Sequence, residues 1–204
     1  MKRRGRFLVL DGPDGAGKTT QVFRLARRLR REGRAVLVVR EPGGTPLGRR
    51  LRRALLDSRL PMDPAVEALL FVAARAELLR RVVRPALERG EIVLSDRGSP
   101  STFAYQGVAG GVGTRRVLAL HGAFNSSPRP DVVLLLDLAP EAARARGRSN
   151  DRFERRDLKF AAAVRRGFRM WAARAGGRVA ILDASAPAEK VEESVWKEVA
   201  PVLR

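Results

Sequence analysis

Short unbroken apolar runs alternate along the chain with longer stretches in which apolar residues recur every three or four positions. The runs are "RFLVLD" (6–11), "AVLVVR" (35–40), "EIVLSD" (91–96), "DVVLLLDL" (131–138) and "RVAILD" (178–183). Without polar alternation, such runs predict parallel strands covered on both faces. Behind the first run, Val22, Leu25, Ala26 and Leu29 follow i, i+3, i+4, i+7 spacing, while Arg24, Arg27, Arg28 and Arg31 fall elsewhere. That predicts an amphipathic helix from about Lys18, ended at Gly33. Residues 63–90 open with Asp63 as a cap and Pro64 at the first helical position, and predict a long helix kinked at Pro85. A helix over 157–175 puts Phe160, Val164, Phe168 and Trp171 on one face, as core packing. Five strands alternating with helices predict one α/β domain over residues 1–204, a three-layer fold with a five-stranded parallel sheet flanked by helices. Ligands of such sheets gather beyond the carboxyl ends of the strands, so the residues that follow each strand carry the information.

Composition and charge narrow the picture further. The 204 residues are 45 % hydrophobic and 31 % charged, an ordinary balance for a packed domain. No apolar run reaches the roughly 20 residues of a membrane span. The basic start "MKRRGRFLVLDG" passes straight into a glycine loop, which makes it a first strand and not a secretion signal. There is no cysteine, which excludes disulfides and thiolate chemistry and fits a cytoplasmic protein. The formal net charge is +19. Lysine stands only at positions 2, 18, 159, 190 and 197, so nearly all the positive charge is arginine, spread along the whole chain. This distribution predicts solvated basic faces more than a nucleic-acid surface, for which one Tyr and two Trp offer few stacking rings.

The stretch behind the first strand is "GPDGAGKTT" (12–20). Gly12-x4-Gly17-Lys18-Thr19 fits the phosphate-loop pattern, and it lies between a strand and an amphipathic helix as that pattern requires. Gly12, Asp14, Gly15, Ala16, Gly17, Lys18, Thr19 and Thr20 therefore form the candidate ATP phosphate site. Backbone N–H groups would turn toward phosphate oxygens and the helix N-terminus adds its positive end. Lys18 would reach the β- and γ-phosphates, and Thr19 would hold Mg²⁺ through its hydroxyl. Asp96, at the end of "EIVLSD", is the second candidate metal group. It ranks above Asp137 because Arg97 follows it.

A phosphate loop serves kinases, GTPases and motor ATPases alike. No N-K-x-D base-reading motif of a GTPase occurs, and motors are usually larger. A small kinase needs a second anion site, and Arg40, Arg75 and Arg97 can supply the two-pronged donors for it. Phe71 and Arg75 share a helical face, so a ring and a guanidinium could meet one base. Taken alone, however, that pair predicts Phe71 in the core and Arg75 at the surface.

Four further stretches follow in order: "REPGGTPLG" (40–48), "LLFVAARAE" (69–77), "DRGSPSTFAYQG" (96–107) and "DRFE" (151–154). With the phosphate loop they make the chain resemble, over essentially its whole length, the bacterial thymidylate kinases. The resemblance implies a P-loop nucleoside monophosphate kinase fold and transfer of the ATP γ-phosphate to dTMP, giving dTDP and ADP, with Mg²⁺. It implies that Phe71 stacks on thymine, that Arg75 contacts its edge, and that Arg40 and Arg97 hold the dTMP phosphate. Asp14 would lie near the sugar 3′-hydroxyl. Tyr105 would crowd the 2′ position, with Thr102 and Gln106 nearby. A lid would span about 144–156. Because Gly15 fills the slot that holds an arginine in some members, the assisting cations would be Arg146, Arg148 and Arg152 of the lid. The loop at 183–190 would serve adenine, and a homodimer would form through helices flanking the sheet. The readings that compete are a broader pyrimidine deoxynucleotide kinase and a kinase-derived nucleic-acid-binding protein.

Three positions depart from the family pattern: Gly98 replaces an aromatic or His, Ala74 an acidic residue, and Arg49 a Glu. They bear on the shape of the thymidine pocket and remove no phosphate contact. The single histidine, His121, has no role, since an anionic acceptor needs positioning and charge neutralisation and not an imidazole base.

Overall fold

The computed structural model describes residues 4–146 and 157–204. Its centre is a five-stranded, all-parallel sheet in the order β2-β3-β1-β4-β5. The strands are β1 (Arg6–Asp11), β2 (Val36–Arg40), β3 (Ile92–Asp96), β4 (Val132–Asp137) and β5 (Val179–Asp183), each within a residue or so of its apolar run. Alternate residues of each strand face opposite sides. Leu8, Leu10, Leu94, Leu134 and Leu136 pack in one core with Val22, Leu25 and Leu29 of α1 (Lys18–Arg31) and Val191, Val195 and Val199 of the C-terminal helix (Ala188–Val199). Phe7, Val9, Val93, Val133 and Leu135 face the other core, with Leu78, Val83, Val164 and Phe168. No described helix is long and apolar enough to cross a membrane.

Helix α2 (Pro46–Leu56) starts at Thr45, whose side chain accepts from the Gly48 N–H. Helix α3 (Pro64–Leu78) starts at Asp63, whose carboxylate accepts from the Ala65 N–H, with Pro64 in the first turn as the sequence predicts. The long helix changes its winding earlier than the expected kink. Residues 79–83 form a wider π turn, in which the Arg84 N–H reaches back to the Leu79 carbonyl, and α4 (Arg84–Glu88) follows. Pro85 has no N–H to continue an α ladder, and the widened turn just ahead of it accommodates that gap.

After β3 come α5 (Ser99–Thr102) and a second π stretch, Phe103–Ala109. Then follow α6 (Thr114–Phe124), α7 (Pro140–Ala145), α8 (Leu158–Ala172) and α9 (Ala188–Val199). The aromatic stripe of α8 packs inward, with Val164 and Phe168 buried and Phe160 and Trp171 against them. Gly167 lets α8 touch the π stretch: a Cβ there would sit 2.7 Å from the Ala104 Cα.

Candidate active site

Beyond the carboxyl ends of β1, β2 and β3, an open cavity of about 150 Å³ is lined by Asp14, Gly15, Gly17, Lys18, Thr19, Thr20, Arg40, Asp96 and Arg97. β1 stands at the centre of the sheet and its two neighbours come from later in the chain, so this is where the strand order reverses. Three strands thus bring one residue each, or a pair, to a common point.

The loop is built from left-handed glycines. Gly12, Gly15 and Gly17 have φ of 143°, 75° and 80°. A Cβ on Gly15 would also meet the Ala143 carbonyl at 3.0 Å, so α7 closes over this position and a side chain there is disfavoured by backbone and space together. Lys18 is buried, and its Nζ donates to the Pro13 carbonyl across the loop (2.7 Å). Burial, and next the positive charge of Arg97, push its pKa down to about 8. The Thr19 hydroxyl donates to Asp96 Oδ2 (2.6 Å), which joins the two predicted metal groups directly. Asp137, the weaker candidate, is held by Arg165 (2.7 and 2.9 Å) and Arg169 (2.7 Å) of α8. Arg40 Nε lies 3.6 Å from Asp96 Oδ2 and its side chain stays largely exposed at the cavity.

Arg97 is the only non-glycine residue among those described with positive φ, 79°. Such a conformation costs of order 1–3 kcal/mol and persists only where the surroundings impose it. Its guanidinium pairs with Asp14 and donates to Ser101 Oγ (3.1 Å). The Tyr105 hydroxyl donates to Asp14 Oδ2 (2.6 Å) and accepts from the Asp14 N–H (3.2 Å). Burial works to raise the Asp14 pKa, but the charges of Arg97 and Lys18 and the bonds from Tyr105 and Arg97 hold it below its ordinary value. Burial and the Asp14 charge push Tyr105 well up, so it remains a phenol. Arg97, Asp14 and Tyr105 form one unit across three segments.

A second group lies deeper. Arg75 is 5 % exposed, against the surface position expected from the helix pattern, whereas Phe71 is only half-buried. Arg75 is held inside by an ion pair with Glu41 and by bonds to Thr102 Oγ1 (3.2 Å) and the Gly98 carbonyl (2.8 Å). These use three of its five donors, which leaves two for a ligand. Gln106 is buried and donates to Glu67 Oε2 (3.0 Å), joining the π stretch to α3.

Arg146 ends α7 and lies over the loop. Its guanidinium donates to the Gly15 carbonyl (3.2 Å) and to Ala184 (2.8 Å) and Ser185 (3.4 Å) after β5. It therefore ties the phosphate loop to the segment expected to serve adenine. The other two lid candidates, Arg148 and Arg152, lie outside the described residues, as does most of the 144–156 segment. Of the three departures, Arg49 is exposed on α2, Ala74 is buried, and Gly98 sits where a Cβ would meet Val9 Cγ1 at 2.8 Å. His121 lies mostly buried on α6 beside Asn125 (3.4 Å), and burial and the Arg75 charge push its pKa down to about 3.

The structure adds two buried carboxylates to the site, Glu41 and Asp11. Glu41 follows Arg40 inside "REPGG", and Asp11 ends β1 just before the loop. A charge that closes an apolar strand directly ahead of a glycine loop is the signal that marks Asp11. Nothing comparable marks Glu41, whose partner is 34 positions away.

The family described as Thymidylate kinase matches residues 10–195 of the chain. The chain is 45 % identical over 200 residues to a thymidylate kinase of Deinococcus radiodurans, covering 96 % of this chain and 97 % of the relative. It is 42 % identical over 197 residues to one of a Synechococcus species, covering 97 % and 96 %. It is 44 % identical over 202 residues to one of Thermomicrobium roseum, again covering 97 % and 96 %.

Proposed function

The chain belongs to the thymidylate kinase family, and from that premise we propose how its residues divide the work. The enzyme transfers the γ-phosphoryl group of ATP to dTMP, giving dTDP and ADP. Charge spreads over the transferring oxygens in that reaction, so catalysis rests on positioning and on donors fixed in advance. The backbone of Gly12–Thr20 cradles the donor phosphates, and Lys18, drawn off the Pro13 carbonyl, reaches them. Arg40 and Arg97 hold the dTMP phosphate facing the donor. Phe71 stacks on thymine, and Arg75 meets its edge with the donors that Glu41, Thr102 and Gly98 leave over. Asp14 accepts from the 3′-hydroxyl and Tyr105 fills the space of a 2′-hydroxyl. Arg148 and Arg152, which lie outside the described residues, supply assisting cations with Arg146, which ties the phosphate loop to the segment after β5. One kinase domain spans the chain, and the reaction belongs in the cytoplasm, since both substrates are anions that do not cross membranes.

Thr19 and Asp96 would hold Mg²⁺. A hydroxyl and a carboxylate 2.6 Å apart are hard oxygen donors. Magnesium usually takes few protein ligands and completes its shell with water and substrate phosphates, which fits the single carboxylate here. When bound, the ion neutralises phosphate charge. A homodimer is part of the same proposal: Val66 and Leu69 on α3 and Leu118 on α6, two helices that pack together, leave apolar side chains exposed.

The observation that carries the proposal is the junction of the Lys18 loop with the Thr19–Asp96 pair and two arginines around one cavity. Its test is ADP formation from ATP with dTMP, dUMP, dCMP, dGMP and UMP as separate acceptors. We expect strong preference for dTMP and no turnover in Lys18→Ala. Equal use of all pyrimidine acceptors overturns the thymine assignment, and no turnover with any acceptor overturns the reaction.

A further inference from the structure

Asp11 is fully buried, and both of its oxygens are filled. Oδ1 accepts from the Gly12 N–H (2.9 Å) and the Ser101 hydroxyl (2.7 Å). Oδ2 accepts from the Gly98 N–H (2.9 Å) and the Ser101 N–H (3.0 Å). Four donors on one carboxylate use all four of its lone-pair positions. Three of them come from the segment after β3 and one from the phosphate loop.

The Gly98 N–H belongs to the peptide that leaves Arg97, the residue in the left-handed region. The carbonyl of that same peptide accepts from Ser95 Oγ (2.8 Å). On the other side, the Arg97 N–H donates to the Leu10 carbonyl (2.9 Å). Arg97 is thus clamped before and after, and the peptide that would flip to release its conformation is held at both ends. The clamp sets the direction of the guanidinium, which stands 3.9 Å from Asp11 and in contact with Asp14.

We infer that Asp11 is a positioning residue for phosphoryl transfer: it locks the Arg97–Gly98 peptide so that Arg97 faces the acceptor phosphate, in register with the loop that holds the donor. This rests on the functional reading above, and it adds a residue that acts through Arg97. Asn at position 11 keeps the shape but offers one oxygen to two or more of these donors and points an NH₂ group at the rest. Ser95 holds the other end of the same peptide and contributes in the same way with a single bond.

The test is a double-mutant cycle on steady-state kinetics with dTMP, using Asp11→Asn, Arg97→Ala and the double variant. Loss of the partner that orients a metal ligand typically costs about 10- to 100-fold in activity, and the Asp11 clamp is a support of the same kind. We expect Asp11→Asn to lower kcat/KM for dTMP by that order while KM for ATP changes about twofold or less. We expect the double variant to be no worse than Arg97→Ala, because a residue that acts through Arg97 has nothing left to position. Ser95→Ala gives the same split at smaller size and stands in if Asp11→Asn does not fold. Multiplying losses in the double variant, or equal losses in the ATP and dTMP parameters, overturn the inference. An active wild type with either result leaves the kinase reading intact. A wild type without dTMP-dependent turnover overturns that reading, and this one with it.

Discussion

Glu41 and Arg75 form an ion pair inside the protein, one on the turn after β2 and the other on α3, both almost fully buried. Two charges taken out of water in this way depend on each other. Removing one partner of such a pair leaves an uncompensated charge and costs about 3–5 kcal/mol. Glu41→Ala is therefore expected to lower the melting temperature strongly. Glu41→Gln keeps the shape and one acceptor, and should fold while raising KM for dTMP about tenfold, with KM for ATP little changed. Calorimetry and steady-state kinetics check both. A folded Glu41→Gln with wild-type KM for dTMP sinks the base-edge role of Arg75.

Lys18 predicts a pH dependence. Its charged form is disfavoured by burial and by Arg97, so the free enzyme loses this proton near pH 8 and not near the ordinary value of 10.5. The triphosphate needs the protonated form. kcat/KM for ATP should hold below pH 8 and fall about tenfold per unit above it, since this parameter reports the free enzyme. Bound phosphates restore the charge, so kcat should fall at higher pH than kcat/KM. A profile of kcat/KM that stays flat to pH 10 contradicts the assignment.

Tyr105 holds Asp14 through its hydroxyl and packs its ring against Phe160 and Phe168. Tyr105→Phe keeps the packing and removes both hydrogen bonds of the hydroxyl to Asp14, each worth about 0.5–1.5 kcal/mol. KM for dTMP should rise about two- to tenfold. Tyr105→Ala opens the space beside the sugar, and UMP should gain as an acceptor relative to dTMP. Parallel kinetics with dTMP and UMP decide, and an unchanged ratio removes Tyr105 from sugar selection.

Arg146 bridges the Gly15 carbonyl and the segment after β5. In the proposed arrangement those contacts lie on the donor side. Arg146→Ala should raise KM for ATP several-fold and leave KM for dTMP near wild type. A pure loss of kcat at unchanged KM for ATP would instead move Arg146 among the groups that touch the transferring phosphoryl.

Leu69 stands on the exposed apolar face of α3. Leu69→Glu should shift the proposed dimer to monomer in sedimentation experiments. A wild-type protein that sediments as a monomer across the micromolar range ends the homodimer proposal.

The sheet and the phosphate loop are legible in the sequence. Strands buried on both faces must be continuous apolar runs, and a loop that wraps phosphate must place glycines and Lys18 at fixed spacing, so both are written locally. The pairing of Thr19 with Asp96 was also within reach, because each closes a recognisable local motif. The tertiary structure alone decided how the arginines are used. Arg75 lies on a helix whose pattern gives no reason to bury a guanidinium, and its burial is stable because Glu41, Thr102 and the Gly98 carbonyl are brought beside it from other segments. Arg97 adopts a backbone conformation that its own sequence disfavours, because Asp11 and Ser95 hold the peptide that follows it. Local pattern records what a residue prefers. A buried charge or a strained peptide exists against that preference, and its partners are joined only when distant strands close on one another.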